Sequence, residues 1–214
     1  RRLHRFYETV SGLSQLIVVR TTYFSADEAY DFDESKIIIF TKEAMNGHTL
    51  LELLLKKYEL QLEMAAGNYV LALASVMDTD EGFDRLADAL IEIDSRLEKY
   101  KSDFEEFYDI LKQEGVVHQF YFPVKMDTTI YQKLPAVMEM YDAYDADHQA
   151  VYAFKASGKV SGAFINIYPP GIPLVVPGEI MNDKLIDEVI KAVNSGLEVD
   201  GLGVVPGAYM GKFV

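Results

Sequence analysis

The chain has 214 residues, half of them apolar and a quarter charged, enough for one or two globular domains. A net charge of −14 leaves no basic stripe for phosphates, which excludes nonspecific nucleic-acid binding, and it disfavours an anionic membrane surface. The absence of cysteine excludes disulfides, thiolate metal sites and cysteine nucleophiles, and it is compatible with a reducing cytoplasm.

No apolar run reaches the roughly 18 residues of a membrane span, and no signal-peptide pattern is present. The chain starts at Arg1 rather than Met, which leads to the expectation of a fragment from inside a longer protein.

Leu3, Phe6, Tyr7 and Val10 lie at helical spacing, so a helix begins the chain and Gly12 stops it. Leu16 to Val19 reads as a short buried strand. Lys36-Ile37-Ile38-Ile39-Phe40 is β-branched, short and bounded by polar residues, as a strand should be. After the Asn46-Gly47 break, residues 48–58 form a helix nearly ringed by Leu50, Leu51, Leu53, Leu54 and Leu55, which must be buried on more than one side. Leu60 to Met64 and Tyr69 to Val76 read as strands, antiparallel neighbours across the short Ala66-Gly67-Asn68 turn. Asp78-Thr79-Asp80-Glu81 starts a helix whose stripe of Phe83, Leu86, Leu90, Ile93 and Leu97 belongs in a core. The order strand–helix–strand–strand–helix predicts an α/β (α+β) fold: a small two-layer unit, its sheet mixed or antiparallel and its helices on one face.

Phe104 to Lys112 continues as a helix ended by Gly115, and an aromatic cluster, Phe120-Tyr121-Phe122, precedes Pro123. Leu134 to Tyr144 is predicted helical. Gln149 to Phe154 and Val160 to Ile167 read as two strands joined by Ala156-Ser157-Gly158-Lys159. Asn182 caps a final helix carrying Leu185, Ile186, Val189, Ile190 and Val193 on one face, with Gly196 past its end. The tail from Gly201 shows little periodicity.

Little in this sequence is self-sufficient chemistry. His4, His48, His118 and His148 are not paired at metal-ligand spacing, so no metal site is expected. There is no P-loop, no Gly-x-Gly-x-x-Gly and no nucleophile elbow, so no catalytic residue is assigned. The unusual stretch is Tyr168-Pro169-Pro170-Gly171-Ile172-Pro173, continuing to Pro177-Gly178-Glu179. Each proline fixes its own φ and pushes the preceding residue into extended geometry, so this is a stiff ribbon with few donors. Gly171 permits a turn, and Pro177-Gly178 suits the centre of a type II turn that would hold Glu179 in one place. A carboxylate held there can attract a cation. The alternative is a plain connector between strand and helix with a solvated Glu179.

Ile167 to Glu179 closely resembles the signature near the end of bacterial ornithine/lysine/arginine decarboxylases, and Gly158-Lys159-Val160-Ser161-Gly162-Ala163-Phe164 fits the same block. Asp33-Glu34-Ser35-Lys36-Ile37-Ile38-Ile39, Leu54-Leu55-Lys56-Lys57-Tyr58, Gln61-Leu62-Glu63-Met64, Val70 to Leu73 and Asp78 to Glu81 match a second block, the shorter subgroup of the family being most similar. The resemblance implies an enzyme of fold type I that uses pyridoxal phosphate to decarboxylate a basic amino acid. Its Schiff-base lysine follows a histidine, and no lysine in this chain does. It therefore implies a small α/β domain over residues 1–115 and a decarboxylase C-terminal domain over 116–214, with the large cofactor domain absent. The implied partners are that large domain and further copies of the intact enzyme, with neither nucleic acid nor membrane. The fragment is expected to bind no cofactor and to be inactive alone, in the cytoplasm. Tyr168, Pro169, Pro170, Gly171 and Glu179 are the candidate substrate-entrance residues. The alternative function is a free-standing binding, regulatory or assembly module derived from that domain.

Overall fold

The computed structural model describes residues 1–25, 27, 31–42, 44–116, 133–168, 171–194, 197–205 and 208–214. The aromatic cluster at 120–122, Pro169, Pro170 and Gly196 lie outside the described residues. The chain separates into two compact units, Arg1–Pro123 and Val124–Val214.

The first unit contains α1 (Arg2–Thr9), β1 (Ile17–Val18), β2 (Lys36–Phe40), α2 (Gly47–Tyr58), β3 (Met64–Ala66), β4 (Tyr69–Leu73), α3 (Asp80–Lys99) and α4 (Phe104–Gln113). Its four strands form one antiparallel sheet in the order β1-β2-β4-β3. Strand alternation decides what is buried. Ile37 and Ile39 of β2 pair with Ala72 and Val70 of β4 and face the core, joined by Ala65 of β3. Against that face lie Phe6 and Tyr7 of α1, Leu50, Leu53 and Leu54 of α2, the Phe83–Leu97 stripe of α3, and Phe107 and Leu111 of α4. Burying each large aliphatic side chain of this kind contributes about 1.5–3 kcal/mol. The expected leucine ring on α2 is incomplete, because Leu55 points outward and is 46% exposed.

Local chemistry sets the helix ends. Asn46 and Thr79 cap α2 and α3 by accepting from His48 N (2.8 Å) and Gly82 N (3.1 Å). Asp94, in the middle of α3 and buried, accepts from the backbone N–H groups of Ser14, Gln15 and Leu16, the last two at 2.7 Å. One carboxylate thus fixes the chain as it enters β1.

The second unit contains α5 (Met140–Asp145), β5 (Gln149–Tyr152), β6 (Ile165–Tyr168), β7 (Ile172–Val175), α6 (Asp183–Asn194), β8 (Glu198–Asp200), β9 (Leu202–Val205) and β10 (Ala208–Phe213). It has two antiparallel three-stranded sheets, β5-β10-β9 and β7-β6-β8. Asn182 caps α6 by accepting from Leu185 N at 2.8 Å, as its sequence suggests.

The structure revises two expectations for this unit and fills in two segments that the sequence left open. Of the strands expected over 149–154 and 160–167, β5 covers Gln149–Tyr152 and pairs with β10, whereas β6 covers only Ile165–Tyr168 and lies in the other sheet. The chain between them turns through a 3-10 segment, Ala153–Lys155, and Val160 and Ser161 make bridges of their own. The helix predicted over 134–144 is confined to Met140–Asp145, because Pro135 and Ala136 pair instead with Ile180 and Glu179. The proline-rich ribbon is not a bare connector, since Ile172–Val175 is a strand. The glycine-rich tail is a β9–β10 hairpin.

Candidate functional site

The β6–β7 hairpin carries the proline motif and is closed firmly at its base. Gly178 N donates to Ser161 O and Ser161 N donates to Glu179 O, each at 2.8 Å. Glu179 also bridges to Ala136, and Ser161 to Phe213 on β10. The hairpin is therefore an excursion from a small bonded platform made of residues 135–137, 159–161, 178–181 and 212–214.

The turn under it has the predicted geometry. Glu179 N donates to Val176 O at 3.2 Å, and Gly178, second of the two central residues, has φ +92°. With proline at the first central position, this is a type II turn. Glycine is required twice over at 178: a Cβ would lie 2.4 Å from the Met138 carbonyl oxygen. That closeness comes from the platform, for Gly178 O accepts from Val137 N at 2.9 Å.

Pro173 sits inside β7, where a missing donor is tolerated because β7 is the edge of its sheet. Ile167 and Ile172 pair near the tip, and Gly171 turns the chain with φ +84°, its N donating to Ile167 O at 2.9 Å. Ile165 and Ile167 are buried, so Asn166 and Tyr168 share the opposite face. Tyr168 stands opposite Glu198, and Asn166 opposite Asp200. Tyr168, Glu198 and Asp200 are exposed, while the Asn166 Oδ1 is buried and accepts no hydrogen bond. The sequence alone gives Glu198 and Asp200 no role at the site, because only the strand register brings them beside Tyr168.

Glu179 is half-buried, and its Oε2 accepts from Val176 N at 2.9 Å. Of the candidate residues, Tyr168 and Gly171 stand at the hairpin tip and Glu179 at its base, with Pro169 and Pro170 outside the described residues.

Elsewhere in this unit a cleft of about 640 Å³ is lined by Tyr144, His148, Gly162, Gly201, Met210 and Lys212. His148 is already engaged there, its Nε2 lying 2.8 Å from Ala143 O. In the first unit, burial lowers the His48 pKa against the smaller opposing effect of Glu52, and burial pushes the Tyr7 hydroxyl up to about 12. Among the described residues no group of three or more His, Asp or Glu is placed to hold a metal, and no helix is long and apolar enough to cross a membrane.

Pyridoxal phosphate needs a lysine in a protected site to form its Schiff base. Every described lysine is exposed except Lys159, which is half-buried, and none follows a histidine. The described residues therefore do not fit the cofactor.

The family model for the Orn/Lys/Arg decarboxylase C-terminal domain matches residues 125–198, a range that includes the hairpin and its platform turn. The chain is 25% identical over 196 residues to an arginine decarboxylase of Bacillus subtilis, covering 91% of this chain and 36% of that protein. It is 27% identical over 194 residues to an arginine decarboxylase of Bacillus anthracis, covering 90% of this chain and 35% of the relative. The chain thus spans about a third of the length of the curated relatives it matches. Its fold is that of solved lysine decarboxylases: the constitutive Escherichia coli enzyme at a TM-score of 0.67 and 14% identity, covering all of this chain and 40% of that one, and the Francisella novicida enzyme at 0.65 and 15%, covering 100% and 39%. Sequence motif and matched segment agree: residues 125–198, which hold the proline motif, match the Orn/Lys/Arg decarboxylase C-terminal domain.

Proposed function

We propose that this chain is the C-terminal portion of a pyridoxal-phosphate-dependent decarboxylase of a basic amino acid. The intact enzyme removes the α-carboxylate of arginine, lysine or ornithine as carbon dioxide and leaves an amine product. Arginine heads the three substrates because the curated relatives are named arginine decarboxylases. The cofactor supplies the electron sink from a large domain that is not in these 214 residues, and the chain by itself is inactive. The intact protein works in the cytoplasm as a homo-oligomer.

The observation that carries this reading is the β6–β7 hairpin, which presents the family's proline motif on a bonded platform within the matched segment. In this reading Tyr168 and Gly171, at the hairpin tip, form one wall of the substrate entrance. Glu198 and Asp200, opposite Tyr168 and Asn166, give that wall a negative potential that favours a cationic side chain over a neutral one. The chain's own contribution is thus to shape and charge the approach.

The test is to express the complete coding sequence that contains this chain, load it with pyridoxal phosphate, and measure carbon dioxide release from arginine, lysine and ornithine. Release from at least one of them, and none from the 214-residue chain, is expected. A complete protein that decarboxylates none of the three overturns the proposal and favours a binding or assembly module.

A further inference from the structure

The geometry points to Glu179 as a positioning residue, one that locks the β6–β7 hairpin to its platform through Val176 and does not itself meet a cationic substrate. The carboxylate's role in the turn is structural and its location is wrong for the tip. Oε2 accepts from Val176 N at 2.9 Å, the backbone N of Glu179 donates to Val176 O at 3.2 Å, and the Glu179 carbonyl accepts from Ser161 N at 2.8 Å. A single residue therefore closes the turn from both its backbone and its side chain, and ties that turn to the platform.

Val176 needs such a partner. The β6–β7 ladder shifts register at Ile165/Asn166 and its last pair is Ile165 with Val175, so Val176 N lies just past the ladder. The carboxylate supplies the missing acceptor. The tip is far away: from Ile172 to Val175 alone the strand rises roughly 10 Å at about 3.3 Å per residue. Holding Val176 fixes the direction in which β7 leaves the platform, and hence where Tyr168 stands. The effect on substrate rests on the proposed decarboxylase function; the lock itself does not.

Two arms separate these parts. In the first, hydrogen exchange over residues 172–178 is measured in this chain. Glu179→Ala is expected to speed exchange at Val176 about tenfold, while Glu179→Gln, whose amide oxygen can accept the same bond, stays within about twofold of the parent. In the second, the complete enzyme is assayed with its basic amino acid. Glu179→Ala is expected to raise KM about tenfold with kcat within about twofold, and Glu179→Gln to restore the parent KM. Equal KM losses in Gln and Ala, with unchanged exchange, would assign the carboxylate to the substrate and overturn the proposal. Unchanged exchange in Glu179→Ala removes the lock, and faster exchange with an unchanged KM removes the positioning role. A complete protein without decarboxylase activity defeats the proposed function alone, because the exchange arm still decides the lock.

Discussion

Gly178→Ala tests whether the turn beneath the hairpin is as constrained as its geometry implies. Two costs add. Alanine at φ +92° loses about 1–2 kcal/mol to contact between its Cβ and its own backbone. Its Cβ would also lie 2.4 Å from the Met138 carbonyl oxygen, so that segment must retreat. Retreat strains the bond from Val137 N to Gly178 O, worth about 1 kcal/mol. The sum is about 2–3 kcal/mol, which for a unit of this size lowers Tm by roughly 10–20 °C. Gly158 is the control. Its φ is +75°, but nothing lies within 4 Å of a Cβ placed there, so Gly158→Ala bears only the conformational cost. Thermal and urea unfolding followed by circular dichroism should separate the two variants by at least about 1 kcal/mol in the second unit's transition. Equal losses would refute the reasoning, because the Met138 contact would then carry no energy.

Asp94→Ala leaves three backbone donors without their shared acceptor, Leu16 N among them in a fully buried residue, and should cost the first unit about 3 kcal/mol in urea unfolding; a loss below about 1 kcal/mol contradicts the clamp. Glu59 ends α2 at φ 55° and ψ 40°, a left-handed conformation that glycine adopts freely, so Glu59→Gly should stabilise by about 0.5–1 kcal/mol, and a lower urea midpoint would count against this. Burial lowers the His48 pKa from 6.5, so the unfolded chain binds the proton more readily. Stability from this group is complete above the unfolded pKa and falls as pH drops below about 6.5. His48→Gln should flatten the slope of Tm between about pH 7 and 5.5, and an unchanged slope would assign it to other groups.

Where sequence pattern and chain-local chemistry agreed, the structure was readable in advance. The Phe83–Leu97 stripe, the Thr79 and Asn182 caps and the Ile37–Ile39 strand all depend on neighbours within a few residues. The second unit was harder because its pairings are long-range. Pro173 argues against a strand until β7 is known to be a sheet edge, and Gly201, Gly203 and Gly211 conceal a hairpin whose partners are fixed by register. Residues 134–139 looked helical, yet Gly178 and Ile180 recruit their backbone into the platform. At the candidate site, the type II turn at Pro177-Gly178 was legible, since both residue types are dictated by φ. The direction of the Glu179 side chain was not, because its acceptor role depends on where the β6–β7 ladder ends.

The proposed function assigns these residues to a basic amino-acid decarboxylase whose reactive centre lies in another domain. The most direct measurement is carbon dioxide release from arginine, lysine and ornithine by the complete pyridoxal-phosphate-loaded protein, run beside the 214-residue chain. Turnover of at least one basic amino acid by the complete protein, and none by the chain alone, is expected. Turnover by the isolated chain, or none by the complete protein, would contradict it.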